Sequence, residues 1–505
     1  MTTYISMVGG QVAVSGGNIL GTTSGALDFP LISARATSSQ NKYNLLATVQ
    51  RMARFDYVTI GNSYVNGGST GYGGTMSTFV AAIKSNSSVN TKVGMYTIAD
   101  TIVQPTPNYP DYYTNETAAN NWILYQVGTS GTKTPNYYNG SYWGQNITTY
   151  VPNDGSGMKV CDSWMKYIYH YHVVGDQGGT YQSGDYSTQI DIIDQDNLFL
   201  QIVQGGETAV NTPSGTGTAD YTRDGTSDYQ QIVGPPSGAT ISQAQRDGLA
   251  LGVNWIRNNA SVKFYGNLAG WGDTTQSLNN QHFGGTNVTG IDGIVQGGLC
   301  EWTFGVSYAM ETRLGFSTTK TNVQFVRNHI DTGAPLSLGG GYDATGYDYT
   351  DHTNAWRAAR YQFCFTLQAN QYFTPALISS PYTSGNYDIT ALIWLDEFAI
   401  NAGTNTAVSE ANFTQGMKYL GQPIDPEWTV LGNGVYARRY VKGADTWVVF
   451  CNPKANGSQT FNIGTYFAGK QFQRFNGSQD STSNDGSTVS SLTMPDRSGW
   501  IGRLV

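Results

Sequence analysis

Short apolar segments alternate with longer amphipathic segments through most of this 505-residue chain. The apolar segments have the length and composition of buried β-strands. Eight of them are found, at residues 29–34, 57–60, 92–98, 190–200, 262–267, 291–295, 335–338 and 372–377. This alternation limits the folds that the chain can adopt more than any other feature of the sequence.

The segments between the strands have helical periodicity. In residues 44–54, Leu45, Val49 and Met52 lie on one helical face. Further helices are predicted at residues 76–84, 241–258, 306–314, 323–330 and 352–370. Strands that alternate with helices pair in parallel through right-handed crossovers. Because no glycine-rich phosphate-binding motif opens any helix, the pattern predicts an α/β fold of the (β/α)8 or TIM-barrel type rather than an open nucleotide-binding sheet.

Other regions flank or interrupt the predicted barrel, which spans residues 29–423. Residues 1–28 are small and glycine-rich and predict an N-terminal arm. Residues 101–185 hold many tyrosines and tryptophans, and predict a long loop insertion on the face of the barrel where active sites lie. Residues 424–505 contain short alternating strands without a helix, and predict a small antiparallel β-sandwich.

The charge content excludes two classes of partner. Charged residues make up only 12% of the chain, and the formal net charge is -8. No basic run could neutralise phosphates, so we expect no nucleic-acid partner. No apolar stretch reaches the roughly 18 residues of a transmembrane helix, and the N-terminus lacks the features of a secretory signal peptide. We therefore expect no membrane insertion and no conventional export.

The sequence gives little support for a disulfide or a metal site. Four cysteines occur without paired spacing, and we expect them to be reduced and buried: Cys161, Cys300, Cys364 and Cys451. His170 and His172 alternate on a predicted strand but lack an evident third ligand. Asp343, Asp348 and Asp351 fit a solvated turn better than a calcium loop. We expect no cofactor.

Two acids stand close together in the fourth predicted strand. Asp194 and Asp196 are two residues apart, so a strand points both to the same side. A charged group in a buried strand is costly unless it serves a site. The alternative is that these acids bind loop amides or cap the next turn, and the residues alone do not decide between the two interpretations.

Glu301 and Trp302 follow the sixth predicted strand, where a barrel strand passes into its loop. Desolvation beside an indole favours the protonated form of a carboxyl group, which suits a general acid. The alternative is a helix N-terminal glutamate that interacts with the dipole of the helical stretch from Val306. Glu311, further along, fits a solvent-facing helix residue.

More polar and aromatic residues fall at the same predicted face of the barrel. They are Tyr96, Asn267, Asp396 and Glu397 at strand ends, and Trp143 and Trp164 in the insertion. Glycoside hydrolysis needs an acid for the leaving oxygen, a second carboxylate as nucleophile or base, and polar and aromatic groups that hold the sugar. We therefore assign these six residues and Trp302 to substrate binding.

Several segments resemble a family of glycoside-hydrolase-like TIM-barrel proteins related to the polygalactosaminidase and alpha-galactosidase barrels. The likeness covers about residues 29–424 and is carried by ARFDYVTIGN, VAAIKSNSSVNTKVGMYTI, IDIIDQDNL, VKFYGN, IDGIVQGGLCEW and LDEF. The later segment VYARRYVKGADTWVVFCNP resembles the β-domain that usually follows such barrels. The resemblance implies a catalytic barrel with a C-terminal β-domain.

The resemblance also implies roles for residues of the fourth strand. The strand pattern of the family carries an early acid and a final Asp-Asn pair, which fall on Asp191, Asp196 and Asn197. Asp196 would then be the catalytic carboxylate and Asn197 a sugar-binding amide. The chain departs from the pattern because Ile192 stands where the family has glycine and Asp194 adds an acid, so either Asp194 or Asp196 is a candidate to face the sugar.

The same resemblance places the sixth-strand acid of the family on Glu301, as general acid/base, and the amide after strand five on Asn267. The first functional hypothesis is thus a retaining or inverting glycoside hydrolase with Asp196 as nucleophile or base and Glu301 as acid. The second, from another class, is a non-catalytic structural or glycan-binding virion protein that holds sugars with Trp143 and Trp164.

The expected partner is an extracellular or cell-surface polysaccharide. The composition, rich in glycine and aromatic residues and poor in charge, resembles that of virion fibres and extracellular hydrolases. We therefore expect an extracellular or virion-surface protein, such as a phage depolymerase, that forms a homo-oligomer or part of a larger assembly.

Overall fold

The computed structural model describes residues 28–36, 46–60, 76–87, 89–98, 101–103, 125–127, 133–135, 137–138, 142–144, 146, 148–150, 190–196, 219–220, 238–269, 295–300, 303–304, 310–330, 336–339, 352–374, 394–414 and 418–505.

Eight parallel strands form one sheet in chain order. They are β1 (Ser33–Ala36), β2 (Tyr57–Ile60), β3 (Lys92–Ile98), β4 (Ile192–Asp196), β5 (Lys263–Ala269), β6 (Gly298–Cys300), β7 (Leu336–Gly339) and β8 (Tyr372–Thr374). The first and last strands meet, because the Phe373 amide donates to the Leu31 carbonyl at 3.1 Å and Ile32 forms a parallel bridge to Phe373. The predicted (β/α)8 barrel is confirmed.

The described helices of the barrel are α1 (Leu46–Met52), α2 (Met76–Asn86), α3 (Gly238–Asn259), α4 (Met310–His329) and α5 (His352–Thr366). Their apolar residues and the outward-facing strand residues share one buried cluster, which includes Val58, Ile83, Ile193 and Val253. Each helix therefore stabilises the barrel by removing apolar surface from water.

Two predicted elements are placed differently in the structure. The sixth strand of the described sheet is Gly298–Cys300, directly before Glu301, whereas the sequence predicts it at residues 291–295, of which only Val295 is described. An apolar run locates a strand poorly when the strand is short and begins with glycine. The helices predicted at 306–314 and 323–330 correspond to α4, which is interrupted by a kink at Gly315, where φ is 77° and ψ is 168°.

The C-terminal region is antiparallel. Its strands are β9 (Tyr436–Lys442), β10 (Asp445–Asn452), β11 (Gln459–Asn462), β12 (Phe472–Arg474), β13 (Thr488–Val489), β14 (Ser491–Met494) and β15 (Ser498–Leu504). The short strand Gln422–Pro423 pairs with β9, and the sheet continues through β10, β15, β12 and β13. Strands β11 and β14 form a second sheet, and a single helical turn, α6 (Ile463–Tyr466), follows β11. The predicted C-terminal β-domain is confirmed.

The larger sheet lies between two apolar layers. On one side Phe450, Phe461 and Leu492 join a core with the smaller sheet. On the other side Trp447 and Ile501 join the core of the barrel. Because both faces of the sheet are covered, its strands contain nearly continuous apolar runs.

Short strands also occur within the predicted insertion. Thr101–Val103 pairs with Tyr142–Gly144, which pairs with Tyr137–Tyr138, and Tyr125–Val127 pairs with Lys133–Pro135 and Ala219–Asp220. None of the described helices is long and apolar enough to cross a membrane.

Cys300, Cys364 and Cys451 are buried free thiols, as predicted; Cys161 lies outside the described residues.

Candidate functional site

The carboxyl ends of β4 and β6 lie at one end of the barrel, and in the sequence each adjoins a predicted catalytic acid. Strand β4 ends at Asp196, and β6 ends at Cys300, directly before Glu301. Only β5 lies between these strands, and all three run parallel. Neighbouring strands are about 4.8 Å apart, so the two chain segments are separated by about 9 to 10 Å.

Two predicted sugar-binding residues stand on the neighbouring strands. Tyr96 of β3 is the register partner of Asp194 and is half-buried. On the other side of β4, Tyr265 pairs with Asp194 and Gly266 with Gln195, so the next residues along the two strands are Asn267 and Asp196. Asn267 in turn pairs with Leu299 of β6. The backbone therefore places Asp196 and Asn267 at one rim, and Tyr96 one layer below it, beside Asp194.

Asp194 lies below this rim, inside the barrel, where it is only 2% exposed. The Tyr57 hydroxyl of β2 donates to its Oδ2 at 2.9 Å, and the Thr59 hydroxyl bonds the same oxygen. Thr59 Oγ1 is also 2.7 Å from Tyr57 Oη. The carboxylate, phenol and alcohol oxygens thus form a closed triangle that links β2 to β4.

Further hydroxyl groups occupy the barrel interior. Ser33 Oγ of β1 is 2.7 Å from Thr374 Oγ1 of β8 and 3.2 Å from Ser337 Oγ of β7. These residues line a small cavity together with Tyr57, Thr59, Asp194 and Tyr265. Most barrels of this kind fill the interior with bulky branched side chains. An oxygen-rich interior directly below the acidic rim is therefore a feature that packing alone does not require.

Two tyrosine rings enclose Asp194. Tyr57 and Tyr265 meet edge to face, with centroids 5.7 Å apart and an interplanar angle of 69°. Burial, and then the charge of Asp194, raise the pKa of both phenols well above the usual value. Both hydroxyls therefore remain protonated at neutral pH, and Tyr57 is available as a hydrogen-bond donor to the carboxylate.

Glycines make room for both rings. A Cβ atom at Gly94 of β3 would lie 2.8 Å from Tyr57 Oη, and one at Gly297 would lie 2.5 Å from Tyr265 Cε1. Such distances are far shorter than van der Waals contact, so any other residue would displace the ring. Gly94 lets Tyr57 reach across β3 to Asp194 on β4.

Asp396 and Glu397 were assigned to the sugar-binding face, and this prediction is wrong. They form a short 3-10 helix, Asp396–Phe398, whose neighbour Trp394 packs against Phe55, just before β2. Ala399 clusters with Val89, just before β3. These contacts lie at the amino end of the barrel, opposite the rim. The chain returns to that end after β8, which the sequence pattern did not reveal.

The partners of these two acids come mainly from the C-terminal domain and α5. Asp396 Oδ2 accepts hydrogen bonds from the backbone amides of Ser478 (2.7 Å) and Gln479 (2.9 Å). Glu397 is fully buried, forms an ion pair with Arg360 of α5 and accepts a hydrogen bond from Asn484 Nδ2 of the C-terminal domain at 3.0 Å. Both carboxylates therefore hold the two domains together.

The prediction that Glu311 faces solvent is also wrong. It is completely buried, and it accepts hydrogen bonds from the Tyr361 hydroxyl at 2.7 Å and from Arg497 at 2.8 Å. The C-terminal domain covers this part of α4, so a position that would face water in an isolated barrel becomes an interface.

Several predicted residues lie outside the described residues and stay predictions: Glu301, Trp302, Asn197, Trp164, His170, His172, Asp343, Asp348 and Asp351. For Asp196, Asn267 and Trp143 only the backbone is described. In the described part of the chain, no three His, Cys, Asp or Glu residues are grouped so that they could hold a metal ion.

Sequence reasoning missed the interior residues Tyr57, Thr59 and Tyr265. One signal for them exists, since Tyr57 and Thr59 alternate with the apolar residues Val58 and Ile60 in β2. This alternation places polar groups on one face of a buried strand, as the spacing of Asp194 and Asp196 does in β4.

No protein-family profile matches this chain, and no curated protein is similar to it in sequence. Solved structures do show a likeness. An isomaltulose synthase from Protaminobacter rubrum has a TM-score of 0.46 and 10% identity, covering 94% of this chain and 98% of its own. The trehalose-6-phosphate hydrolase from Bacillus licheniformis has a TM-score of 0.44 and 9% identity, covering 94% of this chain and 99% of its own.

A β-L-arabinopyranosidase from Geobacillus stearothermophilus has a TM-score of 0.43 and 8% identity, covering 95% of this chain and 96% of its own. Likenesses at this level do not identify a substrate. The assignment of the barrel rests on the order and closure of its own eight strands.

Proposed function

We propose that this protein is a glycoside hydrolase that uses Asp196 and Glu301 to cleave a polysaccharide. One observation supports the proposal: β4 ends at Asp196, β6 ends at Cys300, the residue before Glu301, and both strands run parallel in one barrel. Side chains on segments about 9 to 10 Å apart can reach either the roughly 5 Å carboxyl separation of retaining enzymes or the roughly 6.5 to 9.5 Å of inverting ones.

The burial of Asp194 supports Asp196 as the acid that meets the sugar. Asp194 is 2% exposed and its Oδ2 is bonded by two hydroxyls of β2. Asp196 is one layer nearer the carboxyl end of the same strand. Substrates enter such barrels at that end. We therefore assign the reaction to Asp196 and Glu301 and remove Asp194 from the groups that touch substrate.

The proposed chemistry requires opposite protonation states. Glu301 donates its proton to the glycosidic oxygen as the bond to the anomeric carbon breaks. The Asp196 carboxylate either attacks that carbon, giving a glycosyl-enzyme that water later hydrolyses, or removes a proton from the attacking water. Tyr96 and Asn267, on the flanking strands, are proposed to bind sugar hydroxyls.

We further propose that the substrate is an extracellular or cell-surface polysaccharide and that the protein acts on a virion surface as a depolymerase. The low charge and the high glycine and aromatic content support this setting, because they are typical of proteins exposed outside the cell. The aromatic insertion, including Trp143, supplies rings of the type that pack on sugar faces.

A panel of purified capsular and exopolysaccharides, assayed for new reducing ends, tests the activity. Asp196→Asn and Glu301→Gln are each expected to lower kcat by about a thousandfold or more, since each removes a group that acts in the transition state. Proton NMR of the first-formed sugar anomer then distinguishes retention from inversion.

Asp191→Asn is the matched control. Asp191 precedes the same strand but stands at its amino end, where it binds the Val93 amide and pairs with Lys84 at 2.8 Å. Loss of the Asp191 charge removes a half-exposed ion pair at the far end of the strand and should leave kcat within about twofold of wild type. Glycan binding without release of reducing ends by wild type, on every polysaccharide of the panel, would favour the non-catalytic alternative.

A further inference from the structure

Tyr57, Thr59 and Asp194 form a hydrogen-bonded triangle that close packing of the barrel interior does not require. Two donors from β2 converge on one oxygen of Asp194, and they also contact each other at 2.7 Å. Thr59 has one hydroxyl proton, so it donates either to Asp194 or to Tyr57 at any moment. The arrangement fixes the carboxylate from two directions.

The triangle spans three strands. β2 and β4 are not neighbours, because β3 lies between them. Tyr57 crosses β3 at Gly94, where a Cβ atom would lie 2.8 Å from its hydroxyl oxygen. The bond to Asp194 therefore depends on three separate positions of the chain: a tyrosine, a glycine and an aspartate.

The triangle is buried inside the barrel. Tyr265 packs its ring edge to face against Tyr57, and Asp194, Thr59 and Tyr57 are all buried. Hydrogen bonds strengthen where the local dielectric constant is low. Asp194 is thus tied to β2 of the same sheet, two residues before β4 ends at Asp196.

We propose that Tyr57 and Thr59 are positioning residues for catalysis: through Asp194 they hold the end of β4, and with it Asp196, in the geometry that the reaction requires. This inference rests on the function proposed above. Catalytic groups must stay within about 0.5 Å of their productive positions, and a displacement of about 1 Å can cost a hundredfold in rate.

The test compares Thr59→Val, Tyr57→Phe and Gly94→Ala on the polysaccharide that wild type cleaves fastest. Thr59→Val and Tyr57→Phe each remove one bond to Asp194, and we expect kcat to fall by about 10- to 100-fold while KM changes by less than about twofold. Gly94→Ala should lower kcat at least as far, since its methyl group displaces the Tyr57 ring.

Two variants separate positioning from general damage to the interior. Thr59→Ser keeps the hydroxyl and should recover kcat to within about threefold of wild type. Ser337→Ala removes an interior hydroxyl that bonds Ser33 but is not part of the triangle, and should leave kcat unchanged. Thermal unfolding of each variant establishes that it is folded at the assay temperature.

The possible failures are distinguishable. The positioning role is overturned if Thr59→Val and Tyr57→Phe keep the kcat of wild type. If Asp196→Asn is inactive in the same assay, the proposed function is still supported. Equal losses in Thr59→Val, Thr59→Ser and Ser337→Ala also overturn it, because they indicate that the interior acts only structurally. If wild type cleaves no polysaccharide of the panel, the proposed function and this inference fall together.

Discussion

The barrel interior and the interface between the barrel and the C-terminal domain both bury carboxylates, but they satisfy them differently. Inside the barrel, hydroxyl groups of Tyr57 and Thr59 bond Asp194. At the interface, Arg360 of α5 is paired with both Glu397 and Asp480. The interior thus uses neutral donors for an acid near the rim, whereas the interface opposes charge with charge.

The two regions are therefore expected to respond differently to substitution. A buried ion pair is weak evidence for net stability, but removing one partner leaves a desolvated charge and is strongly destabilising. Removing one neutral hydroxyl that bonds a carboxylate costs less, about 1.5 to 3 kcal/mol. Substitutions at the interface should therefore affect unfolding far more than turnover, and substitutions in the interior should do the reverse.

The largest stability effect is expected at Arg360, which is 1% exposed. Arg360→Met leaves Glu397 and Asp480 without their shared cation, and should lower the free energy of unfolding by about 3 to 5 kcal/mol. Urea unfolding measures this loss. At a temperature where the variant is still folded, kcat should stay within about twofold of wild type.

Arg357→Met is the control for Arg360→Met. Arg357 lies one turn earlier on α5, its side chain is 48% exposed, and its Nε is 3.9 Å from the same Asp480. An exposed pair of this kind contributes about 0 to 1 kcal/mol. Similar losses in the two variants would contradict the view that burial, rather than proximity, makes Arg360 important.

A steric change at the same interface should have an intermediate effect. A Cβ atom at Gly499 of β15 would lie 2.5 Å from Cys364 Cβ and 3.0 Å from the Arg360 carbonyl oxygen. Gly499→Ala forces the sheet away from α5 and should cost about 1 to 3 kcal/mol.

The control for Gly499→Ala is Gly403→Ala, whose new methyl group would meet, among the described residues, only Asn401 Oδ1 at 3.4 Å. That variant should unfold within about 1 kcal/mol of wild type. A Gly499→Ala protein as stable as the control would mean that the sheet and α5 are not closely packed.

The sequence predicted the barrel because its signal is local. Apolar runs, helical periodicity and the count of eight units survive in a single sequence, and so do the acids that end β4 and follow β6. Strand six was misplaced because a three-residue strand, Gly298–Cys300, is too short to produce a pattern of its own.

The interior triangle and the interface ion pairs could not be predicted because their partners are distant in sequence. Tyr57 and Asp194 are 137 residues apart, and Arg360 and Asp480 are 120 residues apart. A single sequence contains no periodicity that joins such positions. Glu397 and Glu311 illustrate the resulting error. In the sequence both look like exposed acids, but in the structure both are buried beneath the C-terminal domain.

The smallest effect is a pH dependence of the interface. Burial raises the pKa of Asp480, but the charge and hydrogen bond of Arg360 outweigh it and lower that pKa to about 2. The pKa in the unfolded chain is about 3.9. Because the folded state lowers the pKa, the contribution of Asp480 to stability is present above about pH 4 and is lost as the pH falls towards 2. A lowering of this size corresponds to about 1 to 2 kcal/mol of stability. The difference in unfolding free energy between wild type and Asp480→Asn should therefore shrink by this amount between pH 5 and pH 2.5. A difference that stays constant over this range would mean that Arg360 is held by Glu397 alone.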